Sequence, residues 1–111
     1  MSYDSNYIDV ENALKRVGGN EVLYKKLLKL FVAESNYDAL CENIESGNNE
    51  EIARLAHTVK GVSANLALTS LNEQVAKIEM EAKAGNDSKA LLPGLKETFD
   101  KTLELITDYI G

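Results

Sequence analysis

Residues 49–66, NEEIARLAHTVKGVSANL, decide how this chain folds. On a helix that turns about 100° per residue, the apolar side chains of this stretch fall on one stripe. The stripe consists of Ile52, Leu55, Ala56, Val59, Val62, Ser63 and Leu66. A helix with a single apolar stripe buries it against a neighbouring element and turns its other face to solvent. The stretch therefore predicts a core-facing helix of a globular domain.

Capping residues and glycines divide the whole chain into five helical segments. Ser, Thr, Asp and Asn favour the start of a helix, and glycine favours its end. The predicted segments span residues 9–19, 20–46, 48–66, 69–85 and 87–111. Pro93 must lie in the first turns of the last segment or kink it. One short helix and four long ones joined by short loops predict an all-α fold, an antiparallel four-helix bundle with a short additional N-terminal helix.

The long segment over residues 20–46 has an apolar pattern from which we predict its core-facing side. The side chains expected to face the core are Leu23, Leu27, Leu30, Phe31, Tyr37, Leu40, Cys41 and Ile44. Ser35 and Asn36 can hydrogen-bond to nearby backbone in competition with the helix. We therefore expect one long helix that bends near these two residues.

Length and charge limit the classes of function. The chain has 111 residues, with 12 Lys and Arg against 18 Asp and Glu, for a net charge of -6. This size supports one core, so we predict a single domain over residues 8–111 behind a flexible leader over residues 1–7. The acidic charge argues against nucleic-acid binding, and no apolar run is long enough to cross a membrane.

The cysteine and histidine content limits covalent and metal chemistry. One cysteine cannot form a disulfide within the chain, and one cysteine with one histidine cannot build a structural zinc site. We therefore expect an acidic, cytoplasmic, monomeric domain that binds no metal.

His57, the only histidine, is the first candidate site residue. It lies about 160° from the centre of the apolar stripe, so we expect its side chain to face solvent. Its helical neighbours Ala53, Gly61 and Ala64 are small, and Lys60 lies one turn away. An exposed histidine with a cation one turn away is a candidate nucleophile. The alternative is an exposed histidine with no function.

Gly61 lies inside the predicted helix, where glycine costs about 1 kcal/mol relative to alanine. One explanation is that the helix ends at Lys60. The apolar stripe continues in phase as far as Leu66, which favours a second explanation. In that case the helix continues, and the glycine lets the backbone of another protein approach His57. Ala53 and Ala64 would belong to the same docking surface.

Glu79 is the candidate partner of His57 on the next helix. The turn between the two helices centres on Leu68, and His57 and Glu79 each lie eleven residues from it. Residues equidistant from such a turn lie level on antiparallel helices. Glu79 could then accept a hydrogen bond from one imidazole nitrogen, so that the lone pair of the other nitrogen points outward. A histidine oriented in this way by a carboxylate is a nucleophile.

The stretch over residues 55–66, with His-Thr-Val-Lys-Gly at residues 57–61, resembles the signature of histidine-containing phosphotransfer (Hpt) domains, whose core is His-x-x-Lys-Gly. The resemblance extends from about Ile8 to the C-terminus. One further match, to the family's junction between its first and second helices, consists of Gly18-Gly19-Asn20, Leu23-Tyr24 and Phe31. Another, to its fourth helix, consists of Leu71, Ile78-Glu79, Ala82 and Gly85. The chain departs from the family at Ala67-Leu68, where Gly-Ala is usual, and this difference concerns the turn.

The resemblance implies a function in a phosphorelay. His57 would accept a phosphoryl group from the aspartate of a receiver domain, or from a kinase, and pass it to the aspartate of a receiver. Lys60 would stabilise the charge on the phosphoryl oxygens, and Glu79 would orient His57. The Mg²⁺ of this chemistry belongs to the receiver, so we expect a carrier without metal, cofactor or ATP site, and not an enzyme. The implied partners are receiver domains of response regulators or of hybrid sensor kinases.

Two other classes of function remain open. The first is a helical adaptor of the same fold in which His57 is never phosphorylated. The second is a bundle with a metal or cofactor in its interior, which needs inward Glu-x-x-His pairs. Residue 54, three before His57, is arginine, which argues against the second class.

The wider context of the domain also stays open. The chain is either a free-standing carrier or a domain of a sensor kinase or chemotaxis kinase. Its polar start and its end at Gly111 favour an excised domain. In a sensor kinase, such a domain would be attached to the membrane through the rest of that protein.

Overall fold

The computed structural model describes residues 6–111, and every regular element in this range is helical. The helices are α1 (Val10–Arg16), α2 (Glu21–Glu34), α3 (Tyr37–Ser46), α4 (Asn49–Asn65), α5 (Thr69–Lys83) and α6 (Leu92–Ile110), with a single 3₁₀ turn at Lys89–Leu91 before α6. The predicted all-α fold is confirmed. Most of the predicted leader, residues 1–5, lies outside the described residues, and Ser70 donates a hydrogen bond to the carbonyl of Asn6.

Three helices begin where the capping residues predicted. Asp9, Asn20 and Asn48 each accept, through their side chains, a hydrogen bond of 3.0 to 3.3 Å from the backbone N–H three residues later. Each bond satisfies one of the N–H groups that the first turn of a helix leaves without a partner. Gly47, directly after α3, has φ of 78°, the left-handed conformation in which glycine ends helices.

The start of the last helix was predicted too early. A 3₁₀ turn at Lys89–Leu91 comes first, and α6 begins at Leu92 with Pro93 in its first turn. Proline lacks an N–H donor and clashes with the carbonyl four residues before it. A regular α-helix therefore cannot begin a full turn ahead of Pro93, and the proline lies in the first turn, where its missing N–H is tolerated.

The predicted segment over residues 20–46 is two helices and not one bent helix, so that prediction is wrong. The backbone of Ser35 is extended, with ψ of 143°, which ends α2. After the break, the ring of Tyr37 stacks on that of Phe99, with 3.5 Å between the ring centroids. The helix is therefore broken completely at Ser35, and the buried aromatic pair packs the start of α3 against α6.

The helices close into a bundle in which α2 and α3 together occupy one of four positions. α3 packs against α4, α4 against α5, α5 against α6, and α6 against α2. The short α1 packs against α2, and the Asp9 N–H donates a 2.9 Å hydrogen bond to the carbonyl of Ala67 in the α4–α5 turn. The predicted four-helix bundle with an additional N-terminal helix is confirmed.

The core-facing side of α2 differs from the prediction. Phe31 is buried as predicted, but the other buried residues are Tyr24 and Leu28, whereas Leu23 and Leu30, which were predicted to face the core, are exposed. Both triplets, 23-27-30 and 24-28-31, have helical spacing, so periodicity cannot separate them. The hydroxyl of Tyr24 donates a 2.8 Å hydrogen bond to the carbonyl of Leu66, which fixes the rotation of α2 against α4.

The apolar stripe of α4 is buried as predicted, with one exception. The buried members are Ile52, Leu55, Ala56, Val59, Ser63 and Leu66. Val62, predicted to face the core, is exposed at the edge of the stripe. Since Leu30 of α2 is also exposed, the two helices leave apolar side chains at the surface between them. None of the helices in residues 6–111 is long and apolar enough to cross a membrane.

Candidate functional site

His57 lies in the middle of α4, on the face opposite the buried stripe. Its side chain is 70% exposed, as the helical wheel predicted. Along the same face, Gly61 and Ala64 are exposed and Ala53 is half-buried. The imidazole therefore stands on an open surface formed by small residues.

Gly61 is an ordinary helical residue, because α4 continues to Asn65. The alternative that the helix ends at Lys60 is wrong. Gly61 does not adopt a positive φ, and a Cβ built on it would meet no atom within 4 Å. Among residues 6–111, neither the backbone conformation nor the available space requires glycine at this position.

Glu79 lies across from His57 on α5, as the equal distance of both residues from the turn predicted. The Nδ1 atom of His57 is 2.9 Å from Oε2 of Glu79. The side chain of His57 is mostly exposed, whereas that of Glu79 is only 4% exposed. The histidine is thus tied to the bundle by a carboxylate that solvent scarcely reaches.

Two lysines also contact Glu79. Nζ of Lys60 lies 2.5 Å from Oε1, and Nζ of Lys83 lies 3.0 Å from Oε2. Lys60, predicted as a cation near His57, therefore pairs with the carboxylate in this structure. Lys83 was missed in the sequence, although its position four residues after Glu79 on the same helix is the spacing of helical ion pairs.

The three contacts determine the charge of Glu79. Burial on its own would raise the pKa of this carboxyl group, but hydrogen bonds from Lys60, Lys83 and His57 outweigh burial and lower the pKa to about 2. Glu79 is therefore ionised near neutral pH and can only accept hydrogen bonds. It follows that Nδ1 of His57 carries the proton, and in the neutral ring the lone pair of Nε2 points away from Glu79.

A polar clamp next to the site fixes α4 against α5. Nδ2 of Asn72 donates to the carbonyl of Lys60 at 2.8 Å and to Oγ of Ser63 at 3.2 Å. Partly buried hydrogen bonds of this kind restrict how the two helices can slide past each other. The clamp helps to keep Glu79 level with His57, and no pattern in the sequence singles out Asn72.

An apolar groove with a volume of about 310 Å³ runs between α2 and α4 on the other side of His57. It is lined by Leu27, Leu30, Phe31, Glu34, Ser35, Asn36, Thr58, Val59, Val62, Asn65 and Leu66. Thr58 is the immediate neighbour of His57 in the chain. Leu30 and Val62, which the sequence pattern placed in the core, form part of this groove.

The fold and the site define a class of protein: a helical bundle with a solvent-facing histidine held by a buried carboxylate and flanked by lysines. Among residues 6–111, no three His, Cys, Asp or Glu side chains are grouped so that they could hold a metal ion.

The family model of the Hpt domain matches residues 26–107, most of this chain. The chain belongs to the Hpt domain family, whose members are histidine phosphotransfer modules of phosphorelays and act as phosphocarriers. Comparison with curated proteins and with solved structures gave no match.

Proposed function

We propose that Nε2 of His57 accepts a phosphoryl group from the aspartyl phosphate of a receiver domain, or from a kinase, and passes it to the aspartate of a receiver. The observation that carries this proposal is the 2.9 Å contact of Nδ1 with the ionised Glu79. It leaves Nε2 as the nucleophilic nitrogen of an exposed ring. As the Nε2–phosphorus bond forms, the bond from phosphorus to the aspartate oxygen breaks, and the carboxylate leaves.

Glu79 has two functions in this proposal. In the resting protein it holds the ring in the tautomer that has a free Nε2. When Nε2 binds phosphorus, positive charge develops on the imidazole, whose Nδ1 keeps its proton. The carboxylate, which is 4% exposed, is close enough to stabilise that charge without further movement.

Lys60 stabilises the opposite charge, which is on the phosphoryl oxygens. It lies one helical turn after His57, and its side chain is 36% exposed, so that the ammonium can reach a group bound at the surface. Transition-state charge in phosphoryl transfer is spread over the phosphoryl oxygens, where a nearby cation is most effective.

The receiver domain docks over Ala53, Gly61 and Ala64 and covers the groove between α2 and α4. The small side chains let the receiver backbone approach His57 closely, as in-line transfer requires. The groove supports this placement because it exposes Leu30 and Val62 beside the phosphorylated residue. Exposed apolar patches of this kind mark protein interaction sites. The monomeric state and the cytoplasmic location stay predictions.

Transfer of label tests the proposal. Purified receiver domains are phosphorylated with labelled acetyl phosphate and mixed with the wild-type protein and with the His57→Gln variant. We expect label on the wild type that is stable in base and labile in acid, and none on the variant. Matching circular dichroism spectra of the two proteins serve as the control for folding.

Two results would contradict the proposal. Label on His57→Gln would place the phosphoryl group on another residue. Absence of label on the folded wild type with every receiver of the source organism would favour the silent adaptor.

A further inference from the structure

We infer that Lys83 is a second binding residue for the phosphoryl group carried by His57. The inference rests on the proposed function of His57. Nζ of Lys83 and Nδ1 of His57 contact the same oxygen atom, Oε2 of Glu79, at 3.0 and 2.9 Å. The ammonium group therefore lies on the Nδ1 side of the imidazole, and its exposed side chain can turn toward a phosphoryl group on Nε2.

Counting the charges around Glu79 gives the reason for a second lysine. Lys60 contacts Oε1 at 2.5 Å, so its positive charge already balances that of the carboxylate. Phosphorylation adds a charge of about −1.5 to −2 at neutral pH. Without Lys83, this charge would stand beside a carboxylate whose only other cation is already paired. With Lys83, the resting cluster of two lysines and one carboxylate has one positive charge that is not balanced.

The exposure of the two lysines indicates which one moves. Lys83 is 64% exposed, compared with 36% for Lys60. Lys83 can therefore turn its ammonium group toward the phosphoryl oxygens more freely than Lys60 can, and Lys60, one turn from His57, remains close to both the carboxylate and these oxygens.

The competing interpretation is that Lys83 only forms a helical ion pair that holds Glu79 in place. In that case Lys83 would have no contact with the phosphoryl group. The ionisation of the phosphoryl group separates the two interpretations, because a nearby ammonium group lowers the pKa of a phosphate and a purely structural lysine does not.

Chemical phosphorylation allows a test that needs no receiver. Phosphoramidate transfers its phosphoryl group to the imidazole: the Nε2–phosphorus bond forms, the phosphorus–nitrogen bond of the reagent breaks, and ammonia leaves. The ³¹P chemical shift of the phosphohistidine is then followed against pH. The proteins compared are the wild type, Lys83→Met, Lys83→Arg and Lys77→Met.

We expect Lys83→Met to raise the pKa of the phosphoryl group by at least about half a pH unit. Lys83→Arg keeps the charge and should restore the wild-type titration. Lys77 is an exposed lysine of the same helix on another face, so Lys77→Met removes an equal charge outside the cluster. Its titration should match that of the wild type.

A Lys83→Met titration that coincides with that of Lys77→Met would overturn the inference. So would a Lys83→Arg variant that titrates like Lys83→Met. The proposed function would survive either result, since it depends on transfer of label from receivers to His57. Conversely, a failure of that transfer would leave this measurement possible, so the two failures can be told apart.

Discussion

The surface on the two sides of His57 differs: polar side chains contact one another on the α5 side, and apolar side chains are exposed on the α2 side. On the α5 side, Glu79 is buried and contacts His57 and two lysines. On the α2 side, Leu30 and Val62 are exposed along a groove that nothing in residues 6–111 covers. On the α5 flank the polar groups are paired with one another, whereas the α2 flank exposes apolar surface that, in the proposed function, the receiver covers.

This difference separates chemistry from docking. A change on the α5 flank should alter the charge and orientation of the imidazole in the isolated protein. A change on the α2 flank should leave the isolated protein unchanged and affect the encounter with the receiver. Substitutions on the two flanks test this separation.

Leu28 and Leu30 of α2 test whether the core and docking sides of this helix are distinct. Leu28 is fully buried, so Leu28→Ala leaves a cavity and should lower the free energy of unfolding by about 2–5 kcal/mol. Leu30 is 51% exposed, so Leu30→Ala should change it by less than about 0.5 kcal/mol while weakening receiver binding. Urea denaturation and titration with the receiver measure the two effects. Equal destabilisation by both variants would mean that the groove belongs to the core.

Gly61→Gln tests the docking surface over α4. Since Gly61 has helical dihedrals and open space at Cβ, the variant should be as stable as the wild type or up to about 1 kcal/mol more stable. The new side chain projects one turn from His57, and a misplacement of about 1 Å in the reacting groups costs roughly a hundredfold in rate. We therefore expect transfer from the receiver to collapse, with Gly61→Ala between the two.

The matched control for this variant is Gly94→Gln. Gly94 is an exposed helical glycine of α6, and its Cβ would meet only the side chain of Gln74, at 3.8 Å. This variant should transfer at the normal rate. If Gly61→Gln unfolds more easily than the wild type and yet transfers normally, the glycine shapes the helix and the docking surface lies elsewhere.

The two flanks were not equally predictable from the sequence. The pairing of His57 with Glu79 follows from their equal distances to the turn at Leu68, because antiparallel helices joined by a short turn leave little freedom in register. The contact between Lys83 and Glu79 was not predicted, because its importance depends on the burial of the Glu79 carboxylate. The residue type argues against burial of Glu79, because glutamate is almost never fully buried unless it is paired.

The α2 flank was predicted less well for a physical reason. Leu23, Leu27 and Leu30 are apolar and helically spaced, and so are Tyr24, Leu28 and Phe31. A pattern of apolar residues cannot distinguish a face buried by the chain itself from one that a partner covers. The hydrogen bond from Tyr24 to Leu66, which decides between them, joins residues 42 apart in the chain.

In the turn between α4 and α5, the chain departs from the family pattern at Ala67. The departure from the family at Ala67 was expected to affect the turn only. Ala67 adopts φ of 57°, a left-handed conformation that glycine adopts more readily. Its side chain is buried, and its carbonyl accepts the hydrogen bond from Asp9. His57 and Glu79 on either side of this turn are level and in contact, at 2.9 Å.

The last expected effect concerns pH and the α5 flank alone. The pKa of Glu79 is about 2 in the folded protein, compared with an ordinary value of 4.5. A carboxyl group whose pKa is lower in the folded state stabilises the fold above its unfolded pKa and loses that contribution as pH falls toward the folded pKa.

The Glu79→Gln variant has no such group, although its amide can still accept a hydrogen bond from His57. As pH falls from about 5 to about 2, the wild type should lose more unfolding free energy than Glu79→Gln does, whatever the difference between the two proteins at pH 6. Urea denaturation at several pH values measures this difference, with Glu73→Gln on the exposed face of α5 as the matched control. A difference that stays constant over the range would mean that the carboxylate does not hold its three partners by charge, and the α5 flank would then owe its order to packing, as the α2 helix does.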